Sequence, residues 1–273
     1  MHAKFDQSPP LISICFVMLL SLFPNPSNSS LQSLTYVGCS QKRYIPGTPY
    51  ESNVNSVLAS LVNSATFTNF NNFKISIPGS TQNDIVYGLF QCRGDLTNSD
   101  CHQCVANAVS RLGSLCGGAS GGALQYEGCF IKYDSSPFLG VEDKSVVYSK
   151  CGPSIAGESD VLTRKDAVLG YLTGAGQYFR VGGSGEVQGM TQCVQDLTTG
   201  ECQDCLSEAI QRLKNQCGDS AWGDMYLGKC YARYSERGYA SRGGEKLRRR
   251  GYWWFTVYIF YLLFDFYMLS FIV

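Results

Sequence analysis

Val54, Val57, Leu58, Leu61 and Val62 stand at i, i+3, i+4, i+7 and i+8, the stripe of an amphipathic helix. A second stripe, Val105, Ala108, Val109 and Leu112, follows a Cys-x2-Cys and returns later as Leu206, Ala209, Ile210 and Leu213. Ahead of the later copy Thr198 and Glu201 are spaced as a capping box, with Thr97 and Asp100 a weaker version ahead of the earlier one. Residues 67–77 and 84–91 predict strands, as do residues 123–133 after a glycine turn. Two helices on an antiparallel sheet make an α+β arrangement.

Two apolar runs near the ends fall outside this pattern. Residues 11–23 form a short one behind a segment carrying His2 and Lys4, with a polar, small-residue stretch after it. That is the layout of a cleaved secretory signal, too short to span a membrane. Residues 252–273 form the other, apolar and aromatic throughout except for Asp265. Its length suits a membrane span, and Trp253 and Trp254 stand where an interfacial belt would be. Before it, residues 236–251 read as a linker by their Gly, Ser and Arg content and end in Lys246-Leu247-Arg248-Arg249-Arg250. An alternative is a lipid-anchor signal built on Ser241, Gly243 and Gly244.

The cysteines organise what lies between. Cys92-x8-Cys101-x2-Cys104-x11-Cys116-x12-Cys129 recurs as Cys193-x8-Cys202-x2-Cys205-x11-Cys217-x12-Cys230, each string preceded by one more, Cys39 or Cys151. Matched spacings at an offset of 101 residues mean two copies of one six-cysteine domain. Gln91, Asp95, Leu96, Arg111, Gly122 and Tyr133 recur at the same offset. The copies differ between their first two cysteines, 53 positions apart in the first and 42 in the second. Any ligand surface built there should differ between them. Removal of the signal takes Cys15 away and leaves twelve cysteines, an even count that argues for disulfides in an oxidising compartment.

Net charge is zero, with 22 basic and 22 acidic residues and no basic aromatic stripe, so nucleic acid is not an expected partner. Cys101-His102-Gln103-Cys104 invites a thiol-oxidoreductase reading, yet the second copy, Cys202-Gln203-Asp204-Cys205, has no histidine. A zinc site would need reduced thiolates, which the compartment opposes. His102 is the one histidine outside the signal, so nucleophile–histidine chemistry could exist only in the first copy. Asp95 and Asp196 are repeated acids just before a helix, where the expected role is to satisfy turn and helix-start N–H groups. Asn28 begins an Asn-x-Ser sequon close to the signal cleavage site. No catalytic residue, metal ligand or cofactor is expected.

Cys-x8-Cys-x2-Cys, twice, behind a signal and before a membrane segment, resembles the plant cysteine-rich repeat secretory proteins, whose domain is named after ginkbilobin. The resemblance covers residues 34–133 and 146–234. It implies a tandem pair of disulfide-rich domains, each a five-stranded antiparallel sheet with two helices. It also implies the pairs Cys39–Cys116, Cys92–Cys101 and Cys104–Cys129, then Cys151–Cys217, Cys193–Cys202 and Cys205–Cys230. Six cysteines allow 15 pairings, so spacing alone leaves the choice open. Mannose-binding members of the family carry an Asn, an Arg and a Glu at three set places. Those places hold Ser40, Ala123 and Asp134 in the first copy and Gly152, Asp224 and Ser235 in the second, so the mannose site is not expected to carry over.

The resulting layout is a signal at 1–30, domains at 31–140 and 141–235, a linker at 236–251 and a transmembrane segment at 252–273. The resemblance to members that sit at plasmodesmata implies a non-enzymatic, membrane-attached extracellular protein acting on cell-to-cell trafficking and callose deposition. Expected partners are the membrane, other cell-surface proteins, oligomers within the family and cell-wall carbohydrate. An apoplastic carbohydrate-binding defence protein is the alternative, with thiol oxidoreductase behind it.

Overall fold

The computed structural model describes residues 31–237 apart from 156 and 175. The expected signal, Asn28, the basic stretch of the linker and the apolar segment 252–273 lie outside the described residues. Among the described residues no helix is long and apolar enough to cross a membrane. The chain divides into two units, Met1–Leu139 and Gly140–Val273.

The first unit runs β1 (Leu34–Cys39), α1 (Pro49–Ser64), β2 (Phe70–Ile75), β3 (Val86–Cys92), α2 (Asn98–Leu115), β4 (Gly121–Tyr126) and β5 (Cys129–Asp134). Its strands form one antiparallel sheet in the order β1-β4-β5-β3-β2. The second repeats this as β6 (Val146–Cys151), α3 (Ser159–Leu172), β7 (Phe179–Ser184), β8 (Val187–Cys193), α4 (Thr199–Gln216), β9 (Trp222–Leu227) and β10 (Cys230–Glu236), in the order β6-β9-β10-β8-β7. Each unit is thus an α+β domain with a five-stranded antiparallel sheet and two helices.

Residues 123–133 are not one strand, as their alternation suggested, but parts of β4 and β5 joined at Glu127 and Gly128. The turn is held from outside, since Glu127 N–H donates to Ser33 O and Gly128 N–H to Leu31 O. The strand expected over 84–91 begins at Val86, because Gln82–Asp84 is a 3-10 turn. Strand β1 carried no alternation strong enough to be read.

The cores form where the helical stripes meet the sheets. In α1 the buried residues are Tyr50, Asn53, Val54, Val57 and Leu61, with Leu58 and Val62 packed at the margin. Gly88 on β3 lets α1 approach, for a Cβ there would lie 2.7 Å from Val57 Cγ2; Gly189 does the same beneath Val168 and Leu172. The N-cap expectation holds for the second helix of each unit. Thr198 and Glu201 form a full capping box, whereas Thr97 accepts from Asp100 N–H without the return bond from a side chain to its own N–H.

Three disulfides converge on α2: Cys92–Cys101 at its first turn, Cys104–Cys129 along its buried face and Cys39–Cys116 just past its end. Cys193–Cys202, Cys205–Cys230 and Cys151–Cys217 do the same for α4. The i,i+3 spacing of each Cys-x2-Cys puts both sulfurs on the helix face turned to the sheet, one reaching the end of a strand and the other the start of its neighbour. Tyr133 and Tyr234 close the loop after each helix, donating to Ala119 O at 3.0 Å and to Cys217 O at 2.6 Å. Burial pushes both phenols above their ordinary range, Tyr133 to about 12.

Candidate functional site

The Cys-x2-Cys pairs are the first place to look for chemistry, and there the sulfurs are consumed. Cys101 and Cys104 are both buried and bonded to different strands, not to each other. A dithiol that opens and closes as a unit is therefore absent in this state, and His102 stands beside a bonded sulfur. Among the described residues no group of three His, Cys, Asp or Glu side chains is placed to hold a metal ion.

Asp95 and Asp196 do not serve the helix starts; the threonines do. Asp95 takes Arg93 Nε at 2.6 Å and Nη2 at 3.1 Å, a fork-to-fork pair. Asp196 pairs with Lys229 and accepts Gly140 N–H at 2.9 Å. Strand register sets the partner of each aspartate. Arg93 N–H donates to Gly128 O and Val194 N–H to Lys229 O, so these positions face each other across two strands. The first domain places its cation on one side of that ladder and the second on the other. The aspartate is constant; its partner has changed strands. Burial differs too, since the Asp95 carboxylate is 49% exposed whereas Asp196 and Lys229 are 3% and 2% exposed.

A second cation changes its element of origin in the same way. Gly117 O and Gly218 O follow the ends of α2 and α4, where the helix dipole is negative. Arg43 Nη1 donates to the first at 2.5 Å, and Lys165 Nζ to the second. Lys165 lies on α3 three positions before Val168, as Val54 lies before Val57 on α1, so a lysine occupies a place in the apolar stripe. Burial draws its ammonium below the usual lysine range, against the raising effect of Asp166 and Asp219.

The three places tied to mannose binding in the family do come together. Ser40 N–H donates to Gly121 O, Gly121 pairs with Asp134, and Ala123 lies two residues further along β4. All sit on the sheet face away from the helices, because a Cβ on the intervening Gly122 would point at Leu112 and Cys116. The chemistry is small and neutral or acidic: Ser40 Oγ lies 3.2 Å from Ser120 Oγ, and Asp134 accepts Ser136 N–H at 2.8 Å. In the second domain Trp222 replaces Gly121 in the row. Its ring lies on Gly152, where an added Cβ would come within 2.4 Å, and Asp224 is bound to Arg233 Nε at 2.8 Å. Neither row offers a guanidinium at the place of Ala123 or Asp224. Calorimetry of the disulfide-intact chain with mannose is expected to show no saturable binding, and a millimolar or tighter isotherm would contradict that.

The length difference between the repeats is spent mainly on one connection. The link from β2 to β3 takes ten residues, 76–85, and that from β7 to β8 two, 185–186. Asn53, fully buried inside the α1 stripe, holds the longer link: its Nδ2 donates to Ser80 Oγ and Asp84 O at 2.8 Å each, and its Oδ1 accepts Ile77 N–H at 2.9 Å. Sequence reading passed over Asn53; a polar residue inside an apolar stripe was the available signal. The link ends beside Lys42, Arg43, Tyr44 and Tyr50 and closes a cleft of about 220 Å³.

The salt stress response/antifungal family matches residues 38–136 and 159–237. Plasmodesmata-located protein 6 of Arabidopsis thaliana is 56% identical over 234 residues, 84% of this chain and 81% of that one. Plasmodesmata-located protein 7 of the same plant is 54% identical over 238 residues, 86% and 79% of the two chains. Among solved structures, the tandem DUF26 ectodomain of the Arabidopsis thaliana cysteine-rich receptor-like protein PDLP5 superposes with a TM-score of 0.71 at 44% identity, covering 75% of this chain and 99% of its own.

Proposed function

Because the chain belongs to the salt stress response/antifungal family, with its domain in tandem, we propose that it acts at plasmodesmata as a non-enzymatic, membrane-attached extracellular protein. In this reading it regulates cell-to-cell movement and callose deposition through other cell-surface proteins. The observation that carries it is the 56% identity with plasmodesmata-located protein 6, which spans both domains. The supporting chemistry is negative in kind: the repeated acids serve ion pairs and the Cys-x2-Cys sulfurs serve disulfides. Both repeats are left as rigid, cross-linked surfaces suited to recognition.

Attachment rests on residues 252–273, an apolar run long enough to cross about 30 Å of hydrocarbon. The test pairs two measurements in plant cells. The full chain should resist carbonate extraction, a truncation after Gly244 should be secreted, and induced expression of the full chain should raise callose and slow the spread of a small fluorescent reporter. Release of the intact chain into the medium would overturn the attachment, and unchanged reporter movement at high protein levels would overturn the role.

A further inference from the structure

We propose that the cleft beside α1 in the first domain is a binding site for a single hydroxylated six-membered ring carrying a carboxylate, a uronate. At about 220 Å³ it is smaller than the ~300 Å³ at which drug-sized pockets begin, and it suits one ring rather than a chain.

Its lining divides into groups already used and groups left over. Tyr50 donates to Ser120 O at 2.6 Å, Thr48 donates to Ile45 O at 2.7 Å, and Asp84 accepts both N–H and hydroxyl of Thr81 at 2.7 Å. Lys42, Tyr44 and Asn83 line the same cleft, and their ammonium, hydroxyl and amide form no hydrogen bond among the described residues. Arg43 spends Nη1 on Gly117 O and keeps its other N–H groups. The leftover set is two cationic donors, one amide that gives and accepts, and a half-buried aromatic ring.

Those groups match a ligand of definite chemistry. Adjacent cations accommodate a carboxylate, with Arg43 able to offer two donors and Lys42 a point charge. The Asn83 amide and Tyr44 hydroxyl suit ring hydroxyls, and the Tyr44 ring, tilted 44° against Tyr50 at 5.5 Å, offers an apolar face to the ring's C–H side. The one acidic side chain in the lining, Asp84, is satisfied by Thr81. Among the described residues of the second domain, the two-residue β7–β8 turn supplies nothing equivalent to Asn83 and Asp84. The cleft adjoins the Ser40, Ala123 and Asp134 row through Ser120, which lines it and lies 3.2 Å from Ser40 at its hydroxyl, but its own donors come from residues 42–44 and the longer connection. It does not depend on the plasmodesmal reading.

The test is calorimetry of the full chain, purified in detergent micelles from a secretory host, with sodium galacturonate, galactose and sodium acetate as probes. Galacturonate should give a saturable isotherm, and galactose and acetate should each bind at least about tenfold more weakly, the change expected for loss of a charge-assisted contact or of the ring. Lys42→Gln and Asn83→Ala, both at exposed positions outside the cores, should weaken galacturonate while leaving the thermal midpoint unchanged. Absence of saturable heat with millimolar galacturonate, equal binding of galactose, or binding indifferent to both substitutions would overturn the proposal.

Discussion

Lys229→Met is expected to cost the second domain about 3–5 kcal/mol, the usual penalty for leaving the other half of a buried ion pair unpaired. Asp196 is nearly inaccessible to water and would keep only the Gly140 N–H as an acceptor's partner. The same change in the first domain, Arg93→Met, should cost about 1 kcal/mol or less, because exposed pairs gain little over hydration and Asp95 is half in solvent. Lys229→Gly combined with Val194→Arg rebuilds the first domain's arrangement in the second and should recover part of the loss. Guanidinium unfolding of the disulfide-intact chain reads all three. Equal costs for Lys229→Met and Arg93→Met would show that burial does not set the value of this pair.

Removal of the disulfides should follow loop length. Cys39 and Cys116 are 77 residues apart and Cys92 and Cys101 only 9. In the chain-entropy account their contributions are about 4.5 and about 2.5 kcal/mol. The double alanine variant at Cys39 and Cys116 should therefore unfold at lower denaturant than that at Cys92 and Cys101. The long closure also anchors the edge strand β1 to the end of α2, so its loss removes the only covalent tie on that strand. The reverse order would show that native packing around the buried Cys92 and Cys101 outweighs the unfolded-state term.

Much of the fold could be read from residues alone, and the exceptions share a cause. Helices α1, α2 and α4 were legible because each carries a stripe at helical spacing and the α2 stripe recurs in α4 at a fixed offset, whereas α3 was not read, Lys165 standing inside its apolar stripe. The β4–β5 hairpin was not, because Glu127-Gly128 is not one of the common two-residue hairpin turns and the apolar alternation runs through it. Cysteine spacing located the repeats but left the pairing open, since pairing depends on which strand ends lie over α2 and α4. Asp95 and Asp196 were visible as repeated acids, while their partners were invisible to a search for repeats: Arg93 and Lys229 sit at non-equivalent positions and meet only through strand register. The cleft was half legible. The extra length between Cys39 and Cys92 marked where the copies diverge, but Asn53, which holds the added connection, is a single polar residue with no pattern around it.

The most direct test of the central claim is imaging of the full chain in plant cells, with a fluorescent tag placed between the signal and the first domain, against a callose stain. The account predicts puncta in the cell wall that coincide with callose and persist after plasmolysis. An even distribution over the cell surface or through the apoplast, with the tail still present, would contradict it.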